Sequence, residues 1–233
     1  MDAALLFADG PVRRSAADAA AHAHVVAAQG AEILAAIRRP EINLAIWMRK
    51  LAPAVARFAR AAAALPDFHV VFEARATEVA PPLVAAVGDA ATGRDCRAWI
   101  EDVRRLARLF AWATGARDLS IHVEALTHDA CRLFHVDNVR GRLIVTYAGP
   151  GTQWLADADT RREALGSGDN NAVRRPGTPI RRLHTGWAGL FKGERLPAMQ
   201  GRGIVHRSAP IRATGRRRLV LKIGYAGEIA CDL

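Results

Sequence analysis

His135 and Asp137 stand two residues apart in "CRLFHVDNVRGRLIVTYAGPGT", residues 131 to 152. In an extended chain, side chains two apart point to the same side with Cα atoms roughly 7 Å apart, so an imidazole and a carboxylate placed this way can clasp one ion. The same pair also suits a polar turn, and the spacing arises readily by chance, so a metal site requires a further ligand. His206 is the best candidate, because "GRGIVHRSAPI" sets it at the end of a later apolar run, on the same face as Ile204. The separation of 71 residues leaves room for intervening strands, and antiparallel pairing can bring the two histidines together. Two histidines and one carboxylate occupy one side of a six-coordinate ion and leave positions open for a chelating co-substrate and oxygen, the arrangement of non-haem iron(II) oxygen chemistry.

A cationic partner for such a site is sought in "HRSAPIRATGRRRLVLKIG". Leu219, Leu221 and Ile223 alternate with Arg218, Val220 and Lys222, which makes the leucine series the expected buried face and places Arg217 on it, with Arg216 and Arg218 pointing out. An arginine inside a barrel needs an anion, and its planar fork matches a carboxylate. Tyr147 shares a face with Leu143 and Val145, so its hydroxyl is expected inward, able to bond a co-substrate or the backbone. Thr146, Thr152 and Trp154 are candidates for the cavity and its mouth, with His184 and Lys192 as further polar groups. Cys131 has the parity of His135, but four strand residues span about 13 Å, too far for one ion without a bulge.

The elements that must hold these residues fall into two regions. Residues 15 to 38 are rich in alanine and stop at Arg38-Arg39-Pro40, a pattern that predicts a helix. A second helix is predicted over 41–58, with Leu44, Trp47, Met48, Leu51, Val55 and Phe58 at helical spacing and Pro53 kinking or dividing it. A third, Trp99 to Thr114, carries Trp99, Val103, Leu106 and Phe110 on one stripe and ends at Gly115. From residue 118 the period changes to two, and strands are predicted at 119–125, 131–137, 142–148, 152–155, 180–184, 187–192, 202–207 and 217–224. This reads as an α+β chain: a mainly helical region, 1–117, buttressing a double-stranded β-helix (a jelly-roll or cupin-like barrel), 118–233, in one integrated domain. Residues 157 to 179 are polar, basic and rich in Gly and Pro, either a surface loop or a lid.

Charge follows the same division. Residues 1–137 carry 16 Lys and Arg against 16 Asp and Glu, whereas 138–233 carry 17 against 7, so the net +10 lies wholly in the second region. Such a field suits an anionic small molecule, an acidic protein or nucleic acid, although no aromatic-interleaved basic motif supports the last. Cys96, Cys131 and Cys231 form no CxxC pair, no apolar run reaches 18 residues, and "MDAALLFADG" lacks a basic start. These features lead to the expectation of a cytoplasmic protein without a membrane span.

"HVDN", Arg142 and Thr146 opening a strand, "GPGTQW", and His206 followed by Pro210, Gly215 and Arg217 together resemble the Fe(II)- and 2-oxoglutarate-dependent dioxygenases of the prolyl-hydroxylase type, over roughly residues 131 to 224. The resemblance implies that His135, Asp137 and His206 bind iron and that Arg217 holds the distal carboxylate of 2-oxoglutarate. The GxR falls one residue later than usual after the histidine, which leaves Arg216 or Arg212 as substitutes. At closer range the chain is similar to a bacterial family of uncharacterised proteins sharing "NLAIWMR", "DACRLFHVD", "TYAGPGTQWL", "LFKGE" and "GIVHRSAP", from about residue 41 onward. That likeness implies a link with metal homeostasis. Two functions are therefore expected: a 2-oxoglutarate-dependent hydroxylase on an undetermined, anionic or protein substrate, or a barrel that binds zinc without oxidising anything.

Overall fold

A computed structural model describes residues 23–65 and 67–228. Among the described residues, ten strands form two sheets. The strands are β1 (Val25–Ala28), β2 (Leu44–Trp47), β3 (His69–Arg75), β4 (Asp118–Leu126), β5 (Gly141–Ala148), β6 (Gln153–Trp154), β7 (Arg181–Arg182), β8 (Ala188–Lys192), β9 (His206–Arg207) and β10 (Arg218–Tyr225). The large sheet runs β1-β2-β8-β5-β10-β4-β3, parallel only between β1 and β2, and the small sheet runs β7-β6-β9. The result is a mixed α/β architecture. Because β1, β2 and β3 come from the first 117 residues, the large sheet draws on both regions of the chain.

Both faces of the large sheet are covered. Ala45, Trp47, Leu143, Val145, Tyr147, Leu219, Leu221 and Ile223 pack against the helices α1 (Pro53–Ala64) and α3 (Arg94–Thr114), whereas α2 (Ala80–Val87) lies at the edge of that layer. The residues between them in sequence, Leu44, Ile46, Ile144 and Val220, pack with Trp154, Leu183 and Ile204 in a second core towards the small sheet. α3 follows from its sequence: Trp99, Val103, Leu106 and Phe110 are buried on one stripe, and Gly115 (φ 77°) ends the helix with its N–H on Ala111 O.

Other segments depart from the sequence expectation. "LAIW" at 44–47 is a strand, not a helix: a short apolar run buried on both faces has no clean period, and inside a sheet such a run is stable as a strand. Pro53 opens α1 as its first residue, where its missing N–H costs nothing, instead of kinking a longer helix. Of the predicted 15–38 helix, residues 15–22 lie outside the described residues; Val25–Ala28 is a strand parallel to β2 and Ala31–Arg38 a 3₁₀ helix. Sheet pairing overrides alanine propensity there. β3 is a strand beyond those the sequence predicts, and the run 131–137 is no strand: among the described residues it forms a β-bridge at His135 and accepts single backbone bonds at Cys131 O and Asp137 O. Residues 157–179 are folded rather than open, with 3₁₀ turns at Asp157–Asp159 and Arg162–Ala164 and a one-turn helix α4 (Asn170–Val173) capped by Asp169.

Candidate metal centre

The cluster is built by backbone pairing. Trp154 pairs with His206, and His206 pairs with His135 through two N–H···O bonds of 3.0 Å, one in each direction. This hydrogen-bonded antiparallel pair spans the 71 residues between the histidines. The 137–139 turn is held against the chain after β8: a Cβ at Gly193 would sit 2.5 Å from Asp137 O and 2.2 Å from Val139 O, so only glycine permits the approach.

Asp137 lies at the centre. Its Oδ1 is 3.3 Å from His135 Nε2, and its Oδ2 is 3.6 Å from His206 Nε2 and accepts from Arg142 Nη1 at 2.8 Å. The ligand atoms of His135, Asp137 and His206 all lie within 4.8 Å of one another. His135 Nδ1 is 2.9 Å from Leu133 O and His206 Nδ1 is 3.1 Å from Ile204 O. A carbonyl only accepts, so each neutral ring carries its proton on Nδ1 and turns the lone pair of Nε2 toward the carboxylate. That is how metal-binding histidines are oriented by the groups behind them.

The electrostatics favour the deprotonated forms of Asp137 and His206. Burial raises the Asp137 carboxyl, but His206, His135 and Arg142 outweigh it and hold the group well below the usual carboxylate range. Burial drives His206 down to about 4, against the opposing pull of Asp137. For His135 the attraction of Asp137 outweighs burial, and its pKa is raised. At neutral pH the site therefore presents a carboxylate and an uncharged His206.

Beside the cluster lies Arg218, 1 % exposed. Its Nη2 reaches Thr146 Oγ1 at 3.3 Å and Thr152 Oγ1 at 3.4 Å; Nε and Nη1 are buried without a hydrogen-bond partner, and among the described residues no carboxylate lies within 4 Å of the guanidinium. Burial lowers its pKa to about 10, so it stays cationic at neutral pH. Gly149 (φ 79°) allows the β5–β6 turn to press on this strand end, since a Cβ there would fall 2.1 Å from Arg217 O.

The structure thus gathers His135, Asp137, His206, Thr146 and Thr152, and disperses the other candidates. Arg217 is the main correction: it is exposed and donates from Nη1 to Ala64 O, on the helix side. Both faces of β10 are covered: the leucine face meets the helices and the Arg218 face meets the cavity. Arg216 and Arg212 are exposed as well. Tyr147 faces the helices and donates to Asp102 Oδ2 at 2.6 Å. Trp154 sits in the core between the sheets with Arg181 over its ring, His184 is exposed against Trp187, and Lys192 donates to Arg39 O at 2.7 Å away from the cluster. Arg142, Ser208, Arg218 and Lys222 line the cavity beyond the site residues that the sequence predicts. Cys131 lines it too without joining the cluster.

Two buried layers and a His–Asp–His cluster define a mixed α/β fold with a candidate metal centre; no helix among the described residues is long and apolar enough to cross a membrane. The chain belongs to the family described as "Protein of unknown function (DUF1826)", which matches residues 28–223. No curated protein matches it in sequence. Among solved structures it is similar to a dioxygenase for auxin oxidation in rice, at 13 % identity and a TM-score of 0.43 over 88 % of this chain and 86 % of that one. It is also similar to a Pseudomonas putida prolyl-4-hydroxylase, at 13 % identity and a TM-score of 0.42 over 83 % and 96 %. AviO1 from Streptomyces viridochromogenes Tue57 is similar at 15 % identity and a TM-score of 0.42 over 86 % and 96 %.

Proposed function

We propose that the protein is an Fe(II)- and 2-oxoglutarate-dependent oxygenase whose two sheets form a double-stranded β-helix. The observation that carries this reading is Arg218, a buried guanidinium with unpaired donors next to a two-histidine, one-carboxylate cluster. A buried charge without a partner is costly, and a bound carboxylate relieves that cost. When bound, iron and 2-oxoglutarate would supply the oxidising chemistry, with oxidative decarboxylation of the co-substrate to succinate and carbon dioxide. The chain's part is positional. His135, Asp137 and His206 would hold the metal, and Arg142 fixes the second oxygen of Asp137. Arg218, with Thr146 and Thr152, would take the distal carboxylate, and Lys222 adds a second cation to the same wall. The cavity, of about 30 Å³, has room for an ion with a water or two, so binding of a dicarboxylate would require the side chains at its mouth to shift.

Anaerobic titration with Fe(II) and 2-oxoglutarate tests this. The expected result is a weak visible charge-transfer band that is absent in Asp137→Ala; no band in the unsubstituted protein contradicts it. A second reading, a zinc-holding barrel acting in metal homeostasis, draws on Cys131 in the cavity wall, since zinc favours Cys and His. It predicts zinc in protein purified without added metal, lost in Cys131→Ser, and no effect of 2-oxoglutarate on thermal stability.

A further inference from the structure

Three hollows adjoin one another beside the cluster, and two of them reach it. The metal cavity shares His135 and Cys131 with a second hollow of about 280 Å³ and shares Ser208 with a third of about 220 Å³; the second and third share Arg132 and Asn170. The His135 side chain is 28 % exposed whereas those of Asp137 and His206 are 5 % exposed, so the cluster is approached from the His135 side, where the second hollow lies.

The two larger hollows differ in chemistry. Leu133, Phe134 and Val173 wall the second. Asn170 closes it, accepting from Phe134 N at 2.7 Å and donating to Arg132 O at 3.0 Å, so that the 157–179 segment forms its far side. Arg132 and Arg207 line the third. The Arg207 guanidinium lies 4.4 Å from the Phe134 ring centroid and is oriented by its Nε bond to Gln153 Oε1 at 2.8 Å; its terminal nitrogens have no acceptor among the described residues. Asp129 is the one carboxylate in that lining, and its Oδ1 is occupied by the N–H groups of Ile211 and Arg212. Two cations beside one carboxylate favour a monoanion over a dianion such as phosphate, and the arginine fork matches a carboxylate.

We propose that these joined hollows hold the compound modified at the metal, and that it is a small organic carboxylate with a ring-sized apolar body. The body lies against Leu133, Phe134 and Val173, and the carboxylate lies on Arg132 and Arg207. This rests on the oxygenase reading only in calling the cluster a reaction centre. The apolar hollow is near the lower end of small-ligand pockets, which run from about 300 to 1,000 Å³.

Calorimetric titration of the full chain, without iron or 2-oxoglutarate, with 4-phenylbutyrate, its primary amide and butyrate tests the assignment. 4-Phenylbutyrate should bind at least tenfold more tightly than either of the others. Leu133→Trp should remove the advantage of the ring. Arg207→Gln, and the exposed Arg132→Gln should the former fail to fold, should weaken the carboxylate at least fivefold and leave the amide unchanged. Arg218→Gln should leave 4-phenylbutyrate binding unchanged, which separates this site from the co-substrate position. Equal binding of acid and amide, or a loss in Arg218→Gln instead of the Arg132 and Arg207 variants, overturns the proposal. Discriminating binding in a protein that shows no iron–2-oxoglutarate band removes the oxygenase reading alone. A band with no discrimination among the probes removes the substrate class alone.

Discussion

The two faces of the large sheet each bury an arginine, and the two arginines are treated in opposite ways. On the helix face, Arg49 donates from Nη1 and Nη2 to the two oxygens of Asp102 at 2.5 and 2.8 Å, and from Nε to Gly186 O at 2.8 Å, while Tyr147 donates to the same carboxylate. Within that network Arg49, Asp102 and Tyr147 are all partnered. On the other face, Arg218 has two threonine hydroxyls at the limit of hydrogen bonding and two nitrogens with nothing. Neighbouring residues of β5, Thr146 and Tyr147, belong to the two settings. A satisfied buried charge network fixes structure; an unsatisfied one marks a place where a ligand belongs.

The contrast is broken most severely on the helix face. Asp102→Ala strands Arg49 and leaves Tyr147 without its acceptor, and we expect a loss of about 3–5 kcal/mol in urea denaturation, with metal affinity per folded molecule unchanged. Arg218→Met works the other way. It removes an unpaired buried charge, so the apo protein should gain about 1–3 kcal/mol in the same measurement while losing co-substrate binding. A destabilised Arg218→Met would mean that the guanidinium already has its partners.

The difference between the faces also explains what the sequence made legible. His135 and Asp137 alone suit a polar turn as well as a metal site; they stand out in combination with His206, which is brought to His135 by strand pairing of the kind the spacing allows. α3 is legible because its stripe and its glycine stop agree. Arg217 is exposed where the sequence predicts it buried, because alternation tells which residues share a face but not how many faces are buried; with both covered, Arg218 and Val220 are as internal as the leucine series and Lys222 is half-buried. The same ambiguity hides "LAIW" as a strand. Arg142 pairs with Asp137 across a turn, a contact that spacing of five residues does not announce. The two-residue strands β6, β7 and β9 and the wall formed by 157–179 depend on tertiary pairing, so no local period reports their extent.

Two smaller effects sharpen the comparison within the cavity side. Thr152→Val removes one of the two weak partners of Arg218 and should weaken 2-oxoglutarate binding about fivefold, a loss of roughly 1 kcal/mol, by titration of the iron-loaded protein. At the outer end, the N–H groups of Ile211 and Arg212 hold the Asp129 carboxyl below its usual range. A depressed carboxyl contributes stability that is present above the unfolded value of about 3.9 and is lost as pH falls through the lower folded value. The 211–214 turn should therefore loosen below about pH 4, seen as faster amide exchange at Ile211 and Arg212, and Asp129→Asn should flatten that dependence. Exchange there that does not change with acidification would contradict it.

The central claim, that an unpaired buried arginine marks the co-substrate position, is tested most directly by 2-oxoglutarate titration of anaerobic Fe(II) protein in Arg218→Met and Arg217→Met side by side. The account predicts that Arg217→Met binds within about twofold of the unsubstituted protein, whereas Arg218→Met loses roughly 10- to 150-fold, the range for a charged hydrogen-bonded pair. Unchanged affinity in Arg218→Met, or an equal loss in both variants, would contradict it.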